Sequence, residues 1–104
     1  MYILIDDKKT LGADIICRTP SAAREVLWNF KTSQHKYHLG IDFDLGCDEN
    51  GLDILKWAWH SNLLPDYIQT VSFNPVGIKQ IVDFLICDAD YETFDNINFI
   101  KNWR

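Results

Sequence analysis

Two pairs of aspartates follow short apolar runs of this sequence, Asp6 with Asp7 near the N-terminus and Asp42 with Asp44 further along. Magnesium prefers such hard oxygen ligands and commonly takes one or two protein carboxylates, because water and phosphate fill its other positions. Carboxylates brought close together also repel one another unless a cation or a shared proton intervenes. Asp6, Asp7 and Asp42 therefore form a candidate metal site. In the alternative interpretation, Asp7 and Asp44 simply cap loops in solvent.

A candidate phosphate site lies between Ser72 and Gly77, where the sequence reads Ser-Phe-Asn-Pro-Val-Gly. A strand would deliver the Ser72 hydroxyl, and Asn74 with Pro75 is typical of a helix start. The first N–H groups of a helix, here those of Val76 and Gly77, and the positive end of its dipole favour anions. An ordinary strand-to-helix turn capped by Asn74 explains the same residues.

Basic residues near these segments are candidates for contacts with phosphate. Lys8 and Lys9 directly follow the first acid pair, and Arg18 lies at the end of a second strand candidate. Arginine can bind phosphate through two parallel hydrogen bonds. The alternatives are that the lysines are solvated and that Arg18 pairs with an acidic side chain.

Short apolar segments alternate with amphipathic ones along the chain. The predicted strands are residues 2–5, 14–18, 37–45 and 67–72, with an ambiguous last one at 96–100. Helices are predicted from Thr19-Pro20, over 52–63, and from Asn74-Pro75. This alternation predicts a parallel-centred sheet with helices on its faces, and such sheets bind ligands beyond the carboxyl ends of their strands.

Composition restricts the class of protein. The 104 residues fit one domain, spanning 1–104, and 47% hydrophobic residues indicate a globular chain. A net charge of −5 argues against duplex DNA as a partner. Three cysteines without a CxxC pair favour a reducing compartment, and the sequence shows neither a signal peptide nor a stretch of about 20 apolar residues. We therefore expect a cytoplasmic protein without a membrane partner.

Five motifs occur in a fixed order: ILIDDKK at 3–9, CRT at 17–19, IDFDLG at 41–46, GLDILKW at 51–57 and VSFNPVG at 71–77. Together they resemble the cyclic-phosphate-processing receiver-like domains, relatives of the response-regulator receiver fold. The resemblance spans about residues 2–85. It implies an α/β, receiver-like three-layer sandwich, in which a central, mostly parallel sheet of four to five strands carries helices on both faces.

The resemblance also implies roles for individual residues. Asp6, Asp7 and Asp42 would hold Mg²⁺ or another divalent cation such as Mn²⁺. Asp42 would take the place of the phosphoacceptor aspartate, and Ser72 that of the hydroxyl that contacts the phosphoryl group. Two departures stand out, because the family's histidine in its D-H-D motif is Phe43 here and its usual arginine after the acid pair is a lysine.

The leading hypothesis is a metal-dependent phosphoesterase that acts on the cyclic phosphate of an RNA end or a small nucleotide. Its catalytic residues would be Asp42, Asp44 and Ser72. The expected phosphate contacts are Lys9, Arg18, Ser72, Asn74, Val76 and Gly77. If the missing histidine is the general acid or base, the protein would instead sequester a nucleotide without chemistry. A degenerate receiver acting as a protein-interaction module is a further alternative, and homo-oligomerisation stays open.

Overall fold

The computed structural model describes residues 1–33 and 36–102, and this part of the chain forms six strands and three helices. In chain order they are β1 (Tyr2–Ile5), β2 (Ile15–Cys17), α1 (Pro20–Ser33), β3 (His38–Ile41), α2 (Gly51–His60), β4 (Tyr67–Thr70), α3 (Pro75–Cys87), β5 (Tyr91–Glu92) and β6 (Asn98–Lys101). No helix within the described ranges has the length and apolar content needed to cross a membrane.

The strands form one mixed sheet in the order β2-β1-β3-β4-β6-β5. The first four strands in this order run parallel, whereas β6 pairs antiparallel with both β4 and β5. The predicted receiver-like α/β fold with a mostly parallel sheet is confirmed. The sheet has six strands, whereas four to five were expected. The strand that the sequence did not predict is β5, which contains only Tyr91 and Glu92. Two residues are too few to produce an alternating pattern that sequence can reveal.

The three helices lie on one face of the sheet, whereas helices were expected on both faces. The connection from β1 to β2 contains no helix, so α1, α2 and α3 all belong to crossovers that advance in the same direction across the sheet. Right-handed crossovers in one direction place their helices on one face. Accordingly, α1 packs against α2 and α2 against α3. The described chain therefore has two layers, and the predicted third layer is missing from it.

Residues alternate between the two faces of the sheet, as strand geometry requires. Ile3 and Ile5 join the core beneath the helices, whereas Leu4 faces the other way and is nonetheless fully buried. On that second face the Tyr2 ring stacks on His38 with 4.6 Å between ring centroids. Tyr2 also covers Gly40, where a Cβ atom would lie 2.6 Å from its hydroxyl oxygen. Tyr2 and Leu4 thus both lie close to Gly40 on this face.

Capping residues fix where the helices begin. The Thr19 hydroxyl accepts a hydrogen bond from the Ala22 N–H at 3.1 Å, which confirms the predicted start of α1. At α2, Asn50 and Asp53 form a capping box, in which each side chain accepts a hydrogen bond from the other residue's backbone N–H. This pair starts α2 at Gly51, one residue before the predicted start.

Gly51 allows α2 to begin directly against the end of β3. Its N–H donates to the Phe43 carbonyl at 2.7 Å, and a Cβ atom at this position would overlap the carbonyl oxygen of Asp42. The close approach of helix and strand therefore depends on the absence of a side chain.

We predict that Gly51→Ala lowers the free energy of unfolding by about 1–3 kcal/mol, because the added methyl group has backbone atoms as neighbours. Urea unfolding followed by circular dichroism measures the change. Gln80→Ala, an exposed change in α3, serves as the control and should leave the midpoint unaltered. Equal midpoints for the two variants would contradict the close packing of α2 on β3.

Candidate functional site

A cavity of about 640 Å³ opens where β1, β3 and β4 end. The backbone ladder continues one residue past each strand, because Asp6 N–H donates to Cys17 O at 3.1 Å and Asp42 N–H donates to Ile5 O at 2.9 Å. These bonds fix both aspartates at the floor of the cavity. It is lined by Asp6, Asp7, Lys8, Lys9, Asp42, Asp44, Gly46, Ser72, Phe73 and Asn74.

Three carboxylates converge in this cavity. Asp6, Asp7 and Asp42 each offer an oxygen, and these atoms all lie within 4.8 Å of one another. Asp6 is fully buried and Asp42 is 7% exposed. Parallel strands bring these residues together although they are far apart in sequence, because Ile5 and Ile41, which precede Asp6 and Asp42, are paired across β1 and β3.

The two oxygens of Asp6 have different surroundings. Oδ1 accepts hydrogen bonds from the backbone N–H groups of Lys8 and Lys9 at 2.8 and 2.9 Å. Oδ2 is buried and has no hydrogen-bond partner among the described residues, although the Lys9 ammonium lies at an ion-pair distance of 3.3 Å. One lone-pair region of a buried carboxylate is thus left for a ligand, which is unusual in a protein interior.

Lys9 supplies the positive charge between the carboxylates. Its Nζ lies 3.3 Å from Asp6 Oδ2 and 3.6 Å from Asp42 Oδ2, and it donates to the Val71 carbonyl oxygen at 2.8 Å. The ammonium is therefore anchored to β1, β3 and the end of β4 together. Sequence pattern alone gave Lys9 only as a residue that could reach phosphate or remain in solvent.

The two buried aspartates differ in acidity. Burial raises the pKa of Asp6, but hydrogen bonds from the Lys9 and Lys8 N–H groups and the nearby ammonium outweigh it, so the pKa falls below the ordinary value. Burial raises the pKa of Asp42 above the ordinary value, and the charge of Asp6 adds to this against the opposing effect of Lys9. Asp6 therefore holds its negative charge more firmly than Asp42.

These residues suit a divalent cation. Three clustered carboxylates match the oxygen preference of Mg²⁺ or Mn²⁺, and the unpartnered Asp6 Oδ2 lacks the hydrogen bond that a buried oxygen normally has. Lys9 faces two of the three carboxylates. A cation in this cluster would thus share Asp6 and Asp42 with the Lys9 ammonium.

Arg18 lies outside the residues that line the cavity. Its Nη1 donates to the backbone carbonyl oxygens of Asp6 and Lys9. These hydrogen bonds hold the loop after β1 against the end of β2. Arg18 thus positions this loop in the structure, and its predicted phosphate contact stays a prediction.

The start of α3 differs from the predicted anion seat. The Asn74 side-chain oxygen accepts from the N–H groups of both Val76 and Gly77 at 3.1 Å, so these groups already have a partner. Neither residue lines the cavity. Gly77 makes room for Phe43, since a Cβ at residue 77 would overlap the Phe43 ring. The structure thus shows a strand-to-helix turn capped by Asn74, and the phosphate contacts of Val76 and Gly77 stay a prediction.

Asp44, Ser72 and Asn74 do line the cavity, as predicted. Asn74 joins them, because its N–H donates to Ser72 Oγ at 3.1 Å and its side-chain Nδ2 donates to Asp44 Oδ2 at 3.2 Å. Hydrogen bonding from the Ser72 hydroxyl also lowers the pKa of Asp42, against the larger effect of burial. Phe43 packs against Gly77 and does not line the cavity, although residues 42–44 lie beyond the end of β3.

Two further residues line the cavity that the sequence did not single out. Gly46 has a φ of +71° and borders Asp7, whose Oδ2 would lie 2.9 Å from a Cβ at that position. Phe73 is 87% exposed although it is aromatic. Its only signal in the sequence is its position between two predicted site residues, Ser72 and Asn74, in a segment without helical or strand periodicity.

A family model described as "Cyclic-phosphate processing Receiver domain" matches residues 1–86 of the chain. The matched segment contains all residues that line the cavity. No curated protein and no solved structure gives a significant match.

We predict that Lys9→Met destabilises the protein at neutral pH, because it leaves two buried carboxylates without their counter-charge. The expected loss is about 1–3 kcal/mol, the usual cost of a buried polar group deprived of its partner. Lys8→Met is the matched control, since Lys8 lines the same cavity but is exposed. Urea unfolding should separate the two variants, and equal stabilities would show that the ammonium does not hold the cluster together.

Proposed function

The chain belongs to the family of cyclic-phosphate processing receiver domains, and from this premise we propose that it binds a cyclic phosphate with a divalent cation and hydrolyses it. The substrate class is a small nucleotide or an RNA end that carries the cyclic phosphate. Hydrolysis adds one water molecule across one of the two P–O ester bonds of the ring, so that the product is a phosphate monoester with a free hydroxyl group.

The convergence of Asp6, Asp7 and Asp42 carries this proposal. Their oxygens lie within 4.8 Å of one another, and one buried oxygen of Asp6 lacks a hydrogen bond. Mutual repulsion makes such a cluster costly unless positive charge compensates it. The ammonium of Lys9 faces two of the three carboxylates. The remaining negative charge supports Mg²⁺ or Mn²⁺ as the cofactor.

The charge of the cavity supports a role for the cation in phosphate binding. Four carboxylates and two lysine ammonium groups line it, so that fully ionised residues leave two negative charges. A phosphate anion would be repelled by this net charge in the absence of a metal ion. A bound divalent cation supplies positive charge that stabilises the charge developing on phosphoryl oxygens during hydrolysis.

The remaining polar residues of the cavity suit contacts with phosphate and water. The hydroxyl of Ser72 can donate to a phosphoryl oxygen, and Lys9 provides an ammonium group beside it through its bond to Val71. Asp44 is exposed at the cavity and can orient water as a hydrogen-bond acceptor. Asp44 already accepts a hydrogen bond from Asn74, which limits its rotation.

The substitution of Phe43 for the family's histidine bears less on the chemistry than the sequence suggests. The Phe43 ring packs against Gly77 and does not line the cavity. A histidine with the same side-chain direction would lie away from the carboxylate cluster. This geometry weakens the argument for a nucleotide-sequestering protein, because that argument rested on the absence of the histidine.

We predict that Mg²⁺ binds the protein and that Asp42→Asn weakens binding at least about tenfold. Altering groups that merely support metal ligands costs about 10–100-fold in affinity, so the loss of a ligand should cost no less. Isothermal titration calorimetry measures the affinity. Asp83→Asn, an exposed change in α3, is the control. Equal affinities of both variants would place the ion elsewhere on the protein.

We further predict that the protein hydrolyses 2′,3′-cyclic nucleotides in Mg²⁺ and that EDTA or Asp42→Ala abolishes turnover. Chromatography of the reaction mixture detects the monoester product. Binding without turnover would instead identify a sequestering protein. If the wild-type protein neither binds nor hydrolyses any cyclic nucleotide, the proposal fails and the interaction module becomes the better interpretation.

A further inference from the structure

Phe73 is an aromatic side chain that contributes little to the stability of the fold. It lies in the loop between β4 and α3, is 87% exposed and borders the cavity. An exposed phenyl ring gains almost none of the free energy that burial would give it. Single exposed apolar residues are common on proteins, so its significance depends on how it is held and what lies beside it.

The backbone around Phe73 is held in place on both sides. Before it, the Val71 N–H donates to Ile41 O at 3.1 Å and the Val71 carbonyl accepts from Lys9. After it, the Asn74 N–H donates to Ser72 Oγ, and the Asn74 side chain caps α3. The ring therefore projects from a fixed loop.

The Phe73 ring lies beside the group expected to bind phosphate. The Lys9 ammonium is 4.6 Å from the centroid of the ring, which is the distance of a cation–π interaction. This contact occupies one side of the ring, while its 87% exposure leaves the rest accessible to solvent. An aromatic ring that is held on one side and accessible on the other is suited to stack on a nucleobase.

From this arrangement we infer that Phe73 stacks on the base of a bound nucleotide and makes the site select nucleoside cyclic phosphates over cyclic phosphates without a base. This inference rests on the proposed function, because Lys9 and the metal cluster must hold the phosphate. In a nucleoside cyclic phosphate one ribose ring joins phosphate and base, so a phosphate beside Lys9 brings the base toward the neighbouring Phe73. Stacking accepts any base, since every base has a π face.

Two probes separate the contribution of the base from that of the phosphate. They are adenosine 2′,3′-cyclic phosphate and methyl riboside 2′,3′-cyclic phosphate, each titrated with Mg²⁺ into the full chain. Phe73→Leu keeps an apolar side chain without the π system, and Phe73→Trp keeps the stacking surface. Phe94→Leu is the matched control, because Phe94 is fully exposed and lies outside the residues that line the cavity.

The wild-type protein should bind the nucleotide about fivefold or more tightly than the base-free compound, which is the lower end of the effect of one stacked base. Phe73→Leu should remove this preference and leave the affinity for the base-free compound unchanged. Phe73→Trp and Phe94→Leu should both retain it. The base-free compound also controls for any displacement of Lys9, because such a displacement would weaken the binding of both probes.

Three results would overturn the inference, and they show whether the proposed function fails with it. If the wild-type protein binds both probes equally, or if Phe73→Leu weakens both alike, the proposed function stands and stacking by Phe73 is excluded. If the wild-type protein binds neither probe, the proposed function fails and the inference fails with it.

Discussion

Repulsion between Asp6 and Asp42 is the constraint on which much of this structure depends. Both follow directly from strands buried beneath the helices, and the pairing of β1 with β3 brings them side by side. Two carboxylates in such a position cannot both ionise cheaply without nearby positive charge or hydrogen bonds. The fold provides both through one short loop, since the residues after β1 supply two backbone N–H groups and the Lys9 ammonium.

The same loop lies where the layers differ from the predicted arrangement. It turns tightly around the Asp6 carboxylate, and Arg18 holds it against β2 through bonds to two of its carbonyl oxygens. The connection between β1 and β2 contains no helix. The resemblance predicted helices on both faces, but the helix-free connection leaves the second face of the sheet to residues such as Tyr2 and His38. One connection thus supplies both the contacts to the buried carboxylates and the helix-free link between β1 and β2.

Local chemistry made part of the fold predictable from sequence. An apolar run ended by Asp6 predicted β1 with its observed bounds, and the Thr19 and Asn74 caps predicted the starts of α1 and α3. The predictions were wrong where tertiary contacts determine the end of a strand or helix. The strand predicted over 37–45 ends at Ile41, because Asp42 onward leaves the sheet to form the cavity. The helix predicted to residue 63 ends at His60, before Asn62 takes a φ of +56°.

The convergence of the acidic residues of the candidate site was predictable from sequence, whereas the positions of its basic side chains were not. Carboxylates at strand ends converge because parallel strands end at one edge of the sheet, which is a property of topology and pattern. The destination of a flexible cationic side chain has no such periodicity, so nothing in the sequence separates Lys9, which lies among the acids, from Arg18, which binds carbonyl oxygens instead. The Asn74 cap, by contrast, was predictable from sequence, and its side-chain oxygen accepts from the N–H groups of Val76 and Gly77. Under the proposed function, anion binding at this edge would rest on Lys9, Ser72 and a bound cation. Neutralisation of the carboxylates is then the condition for it, because four ionised aspartates repel a phosphate anion.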